Sequence, residues 1–143
     1  MLSNSSKYAL KAVLYLGLHS SLDTKVLAKD LSAPINVPQA YLSKLLQQLS
    51  RHHIVSSLKG PGGGFYLTDE NRRVSLFKII EVIDGDRRLT SCMLSLDKCD
   101  ANRPCPMHHL LGNARVHFIK NLEETSVEEL VLDVSQRRSF LPL

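Results

Sequence analysis

The stretch that most constrains this chain is Lys59-Gly60-Pro61-Gly62-Gly63-Gly64, which holds four of its seven glycines. Ile54-Val55-Ser56-Ser57-Leu58 precedes it and Gly64-Phe65-Tyr66-Leu67 follows. Two strand-like runs around such a turn predict a β-hairpin. Glycine there supplies positive φ and a turn thin enough to approach another backbone closely. A glycine run also raises the possibility of a phosphate cradle. A Walker A loop, however, ends in Gly-Lys-Ser/Thr and opens a helix, and a dinucleotide fingerprint likewise leads into a helix. Phe65-Tyr66-Leu67 meets neither requirement, so both nucleotide readings are rejected.

The hairpin follows a run of helical patterns. Apolar residues cover most of the circumference from Ser5 to His19, which predicts a helix buried on several sides. A second helix is expected from Thr24 to Ser32, with Asp23 or Thr24 as N-cap and Ala33-Pro34-Ile35 as the break. A third starts with Asn36 as cap and Pro38 in the first turn. Its Tyr41, Leu42, Leu45, Leu46 and Leu49 repeat at helical spacing down to Arg51. The opposite face carries Gln39, Ala40, Ser43, Lys44 and Gln47. Small and hydrogen-bonding groups of this kind suit a groove, where base edges offer donors and acceptors. Two short helices joined by a tight break and followed by a hairpin form the pattern of a winged helix-turn-helix. Lys59 falls near the wing tip, where a cation meets phosphates or enters a minor groove.

Charge agrees with that pattern. Residues 1–73 carry nine Lys/Arg against four Asp/Glu, whereas residues 74–143 carry nine against ten. The first half suits a polyanion and the second does not. No run approaches the roughly eighteen apolar residues of a membrane span, and no secretory signal opens the chain. A cytoplasmic protein with no membrane partner is expected.

Beyond the wing, a fourth helix is expected from Ser75 to Ile83, then an irregular stretch from Asp84 to Pro106. A loop of that length in a compact domain is usually functional or disordered. A long helix from Met107 to Leu122 follows, with Met107, Leu110, Leu111, Ala114, Phe118 and Leu122 in a stripe. That stripe suits either a partner helix or the chain's own core. A short helix from Val127 to Leu132 precedes the tail.

The irregular stretch contains all three cysteines, spaced Cys92-x6-Cys99-x5-Cys105-x2-His108. An odd, clustered set is not a secreted disulfide framework. Three thiolates and an imidazole form a soft donor set, selecting zinc or an iron–sulfur cluster. Structural zinc usually takes short Cys-x2–4-Cys knuckles, so the wider gaps here favour a cluster. His109 points about 100° away from His108 around the helix, and His108 is preferred as ligand. Asp97 and Asp100 would raise a nearby thiol pKa, opposed by Lys98, which argues against a nucleophilic cysteine.

Three segments resemble the IscR/NsrR/CymR family of bacterial regulators. These are Lys7-Tyr8-Ala9-Leu10-Lys11-Ala12, Val37-Pro38-Gln39-Ala40-Tyr41-Leu42-Ser43-Lys44-Leu45-Leu46 and, most specific, Leu58 to Phe65. The resemblance covers residues 1 to about 124. The cysteine loop is similar to that of the cluster-binding subset, which implies a homodimer whose cluster sets DNA affinity or sequence preference. The first cysteine gap is wider than in the best-known members. In the nitric-oxide-responsive branch a carboxylate near the start of the first helix can complete the cluster, but the matching position here is Lys7. That leaves His108, as in the cluster-biogenesis branch. Ser43 stands where that branch reads DNA with an acidic residue, so operator preference does not carry over.

The expected fold is mainly α with a small β-hairpin: a winged helix-turn-helix domain plus a long dimerisation helix. Residues 1–84 would bind DNA, 85–106 would form the cysteine-rich loop, 107–132 the dimerisation and C-terminal helices, and 133–143 the tail. The expected function is a repressor acting on double-stranded operator DNA, not an enzyme. Its DNA-binding residues would be Gln39, Ala40, Tyr41, Ser43, Lys44, Lys59, Gly60, Pro61 and Gly62. Cys92, Cys99, Cys105 and His108 would hold a 2Fe-2S or 4Fe-4S cluster. One rival is a zinc-stabilised or metal-free regulator sensing a small molecule or partner protein. The other is a redox or cluster-transfer protein.

Overall fold

The computed structural model describes residues 2–94 and 100–143. Eight helices and one hairpin occur among them: α1 (Asn4–His19), α2 (Ala28–Ile35), α3 (Gln39–Arg51), β1 (Ser56–Leu58), β2 (Gly64–Tyr66), α4 (Asp69–Arg72), α5 (Leu76–Asp84), α6 (Arg87–Thr90), α7 (His108–Glu124) and α8 (Val127–Ser135). The architecture is mainly α-helical with a small antiparallel hairpin, as the sequence predicts. No helix among the described residues is long and apolar enough to cross a membrane.

Helix α1 is the centre of the core, because Ala9, Ala12, Val13 and Leu16 lose all contact with solvent. Helices α2, α3, α5 and α8 pack around it. Gly17 lets α8 cross closely, since a Cβ there would run into Val131. Ser3 caps α1 through its side chain, and the carboxylate of Asp84, the last residue of α5, accepts from both the backbone and the hydroxyl of Ser3.

Both ends of α2 differ from expectation, the first for a long-range reason and the second for a local one. Helix α2 begins at Ala28 because Val26 is drawn into an extended bridge with the wing. Val26 N–H donates to Phe65 O at 2.9 Å and Phe65 N–H returns to Val26 O at 2.8 Å. The helix then runs through Pro34 and ends on Asn36, in the left-handed conformation at φ 59°, ψ 53°. Asn36 therefore closes α2 rather than capping α3, a role suited to asparagine's tolerance of that region. Pro38 takes the N-cap place of α3 without a side-chain bond.

The irregular stretch also contains a short helix, α6, whose Leu89 is buried. Helix α8 extends past Leu132 to Ser135 behind a capping box of Ser126 and Glu129.

Candidate nucleic-acid interface and cysteine cavity

Helix α3 divides by face. Leu42, Leu45, Leu46 and Leu49 are buried, whereas Gln39, Ala40, Lys44, Gln47 and Arg51 are exposed. Ser43 is half-buried. Tyr41 sits at the margin: its ring meets Tyr8 edge-on at 6.1 Å, and its hydroxyl shares a 2.5 Å bond with Ser5 Oγ. The phenol thus joins α3 to α1. Gln48 turns inward, donating from Nε2 to Val82 O of α5 at 2.7 Å.

The wing pairs Ser56 with Tyr66, Ser57 with Phe65 and Leu58 with Gly64. Its tip is a tight turn in which Gly63 N–H donates to Gly60 O at 2.9 Å. Pro61 and Gly62 occupy the two central positions, and Gly62 has φ 72°, the residue order of a type II turn. Any side chain at Gly63 would strike the carbonyls of Leu58 and Gly60. Lys59, Gly60, Pro61 and Gly62 are all exposed.

Two contacts set the wing against α3. Ser50 and Ser57 hydroxyls meet at 3.1 Å. Buried Asn71 accepts from Ser56 Oγ at 2.8 Å and from Thr68 N–H at 2.9 Å, and donates to His53 O at 2.8 Å. A buried amide with this many partners fixes geometry, since losing it strands several polar groups.

Between α2, α3 and the wing lies a cleft of about 780 Å³. Lys29, Arg51 and Lys59 line it together with Gln39, Gln47, Ser50 and Ser57, and among the described residues no Asp or Glu does. Of the residues predicted to read DNA, Gln39, Lys59 and Gly60 border this cleft, while Ala40, Tyr41, Ser43, Lys44, Pro61 and Gly62 lie outside its lining. Sequence reasoning missed Lys29 and Arg51. Arg51 was accessible to it, because Lys44, Gln47 and Arg51 fall at i, i+3 and i+7 on one helix face. Lys29 was not, because its approach to the wing depends on the Val26–Phe65 bridge.

The second site lies where α6 and α7 meet. Cys92 follows α6 and is buried, and Cys105 precedes α7 and is half-buried. Their Sγ atoms stand 3.6 Å apart, well beyond the roughly 2.05 Å of a disulfide. His108 opens α7, its N–H donating to Cys105 O at 2.9 Å. Its ring meets that of His109 edge-on at 5.5 Å.

Cys92, Cys105 and His108 share a cavity of about 280 Å³ with Met93, Met107, Gly112, Asn113, Arg115 and Val116. Cys99 lies outside the described residues. Among the described residues no three His, Cys, Asp or Glu side chains are gathered closely enough to hold a metal ion.

The residues present nonetheless fit a metal centre. Two thiolates about 2.3 Å from one tetrahedral metal stand about 3.8 Å apart, close to the separation here. The cavity is open beside Gly112, where a Cβ would meet none of the described residues within 4 Å. A mid-helix glycine costs about 1 kcal/mol relative to alanine, and no packing against the described residues requires one here.

The family model described as "Rrf2: Iron-dependent Transcriptional regulator" matches residues 2–133. The chain is 31% identical over 142 residues to the HTH-type transcriptional regulator IscR of Xenorhabdus nematophila, covering 96% of this chain and 85% of that protein. Its fold is similar to that of CymR, the global cysteine regulator of B. subtilis, with a TM-score of 0.73, 22% identity and coverage of 92% and 96% of the two chains. The T. potens IscR structure is similar at a TM-score of 0.72, 19% identity and coverage of 97% and 91%.

Proposed function

The chain belongs to the Rrf2 family of DNA-binding transcriptional regulators, and on that premise we propose that it is a homodimeric repressor whose operator binding is set by an iron–sulfur cluster. The observation that carries the cluster reading is the 3.6 Å approach of the Cys92 and Cys105 sulfurs beside His108. Cys99 would supply the third thiolate. Such a cluster supplies a redox-active, oxidant-sensitive group with a net negative charge. Two thiolates this close suit a single metal centre, as in a two-iron cluster, better than a four-iron cube in which each iron takes one cysteine. The same spacing suits zinc, which is the second reading.

The DNA-reading part follows from the cleft. Lys29, Arg51 and Lys59 neutralise phosphates on two sides of the recognition helix, while Gln39, Lys44 and Gln47 present donors to base edges. Ala40 and Ser43 keep that face low enough for close approach. Pro61 and Gly62 hold the wing turn in which Gly60 and Lys59 meet the backbone.

Dimerisation is assigned to α7. Leu122 is its one buried residue, while Leu110 and Val116 are 70% and 64% exposed. A half-apolar helix left this bare suits a second copy of the same helix.

Control is assigned to the last turn of α5. Val82 O holds Gln48 of the recognition helix and Asp84 holds the start of α1. Gly85, α6 and Cys92 follow directly in the chain. A shift of the cysteine segment therefore has a bonded route to α3.

The test is an absorption spectrum of protein purified without oxygen, with iron, sulfide and zinc assayed on the same sample. Visible charge-transfer bands with matched iron and sulfide are expected, and Cys105→Ala is expected to remove them. A colourless protein holding zinc would favour the second reading. A metal-free protein that resists anaerobic reconstitution would remove both.

A further inference from the structure

The cysteine cavity has a charge requirement that the ligands cannot meet. Three thiolates and a neutral imidazole leave a single net negative charge on zinc, on an oxidised two-iron cluster and on the common four-iron state alike. With Cys92 only 6% exposed, that charge would be poorly hydrated, and a buried charge is costly unless paired.

We propose that Arg115 is the positioning residue that offsets this charge, holding its guanidinium beside Cys92 whichever metal centre fills the cavity. Among the described residues lining the cavity it is the one Lys or Arg, and none is Asp or Glu. It also borders an adjoining cavity of about 210 Å³ that Cys92 and Met93 share and that Arg88 lines as well, so of these two arginines Arg115 alone borders both spaces. Nη1 donates to Thr90 O at 3.3 Å, which tethers the head two residues before Cys92. A guanidinium carries five N–H donors, so this single long bond leaves donors for the sulfur side. On α7, Arg115 lies seven residues after His108 and therefore on the same face, two turns along.

The inference rests on the ligand set proposed above, but not on the identity of the metal. Zinc serves as the probe. Its affinity is measured by competition with a chromophoric chelator on reduced, metal-free protein, for the parent chain, Arg115→Gln, Arg115→Lys and Cys105→Ala. Groups around a metal's direct ligands typically alter affinity about 10–100-fold. Arg115→Gln is expected to weaken zinc binding by that factor and Arg115→Lys to restore most of it. The metal-free melting temperatures should stay equal, separating charge from folding. Equal affinity in the parent and Arg115→Gln overturns the proposal, as does a loss in Arg115→Lys as large as that in Arg115→Gln. Cys105→Ala binding zinc like the parent would show that the ligand set itself is wrong. Weak binding in Cys105→Ala with undiminished binding in Arg115→Gln would remove the arginine alone.

Discussion

Lys59 and Arg51 face the same cleft from the wing and from the end of α3. If each neutralises one phosphate, Lys59→Ala and Arg51→Ala should each flatten the plot of log affinity against log salt by about one unit. The loss should be similar on every DNA sequence, because phosphates carry no sequence information. An unchanged slope in a variant would take that residue off the DNA.

His53 makes a different prediction. It holds φ 58° just beyond α3, where a non-glycine residue costs roughly 1–2 kcal/mol. Glycine relieves this but loses more chain entropy. His53→Gly should therefore raise stability by about 0.5–1 kcal/mol in denaturant unfolding, with Asn71 still bonded to the residue 53 carbonyl.

Glu129 is a third case. Bonds from the backbone and then the hydroxyl of Ser126 hold its carboxyl below the ordinary carboxylate range. Its contribution is full above the unfolded pKa and is lost as pH falls through the folded one. An NMR titration should find Glu129 protonating at lower pH than free glutamate, and Ser126→Ala should return it toward normal.

At the scale of elements, the crossing of α1 on α8 depends on Gly17. A methyl at Gly17 would collide with Val131, so Gly17→Ala should destabilise the chain by about 1–3 kcal/mol despite alanine's better helix propensity. A double variant with Val131→Ala should recover part of that loss, and a stabilised Gly17→Ala would show that the helices are farther apart.

What the sequence revealed follows from how local each cause is. The leucine spacing of α3 and the Gly-Pro-Gly turn act within a few residues and were readable in advance. The late start of α2 was not, because the Val26–Phe65 bridge joins residues far apart in the chain. Asn36 was misassigned because a cap-favouring residue between two helices serves either, and only the backbone angle decides. In the site, the exposed polar face of α3 was legible, as was the grouping of Cys92, Cys105 and His108 about one cavity. Tyr41 bonding to Ser5, Lys29 reaching the wing cleft and Arg115 lining the cysteine cavity were not, since each depends on tertiary placement.

For the whole molecule, the control proposed above follows the order in which the parts are bonded. The basic cleft is built on α2, α3 and the wing, and the cysteine cavity lies between Cys92-Met93, just past α6, and α7. Helix α5 stands between them, bonded through Val82 and Asp84 to the recognition helix and to α1. Helix α7 carries both the cavity's His108 and the exposed Leu110 and Val116 assigned to the dimer. One displacement near Cys92 would thus bear on the tilt of α3 and on the spacing of two reading heads.

Coupling between two such sites typically amounts to 1–3 kcal/mol, or about 5–150-fold in affinity. The direct measurement is an anaerobic titration of an operator fragment, selected from a random DNA pool, with the cluster-loaded protein and with the same preparation after chelation. The account predicts affinities that differ by at least about fivefold, and a difference that vanishes in Cys105→Ala. Equal affinity of verified loaded and stripped protein, on fragments selected with either form, would contradict it.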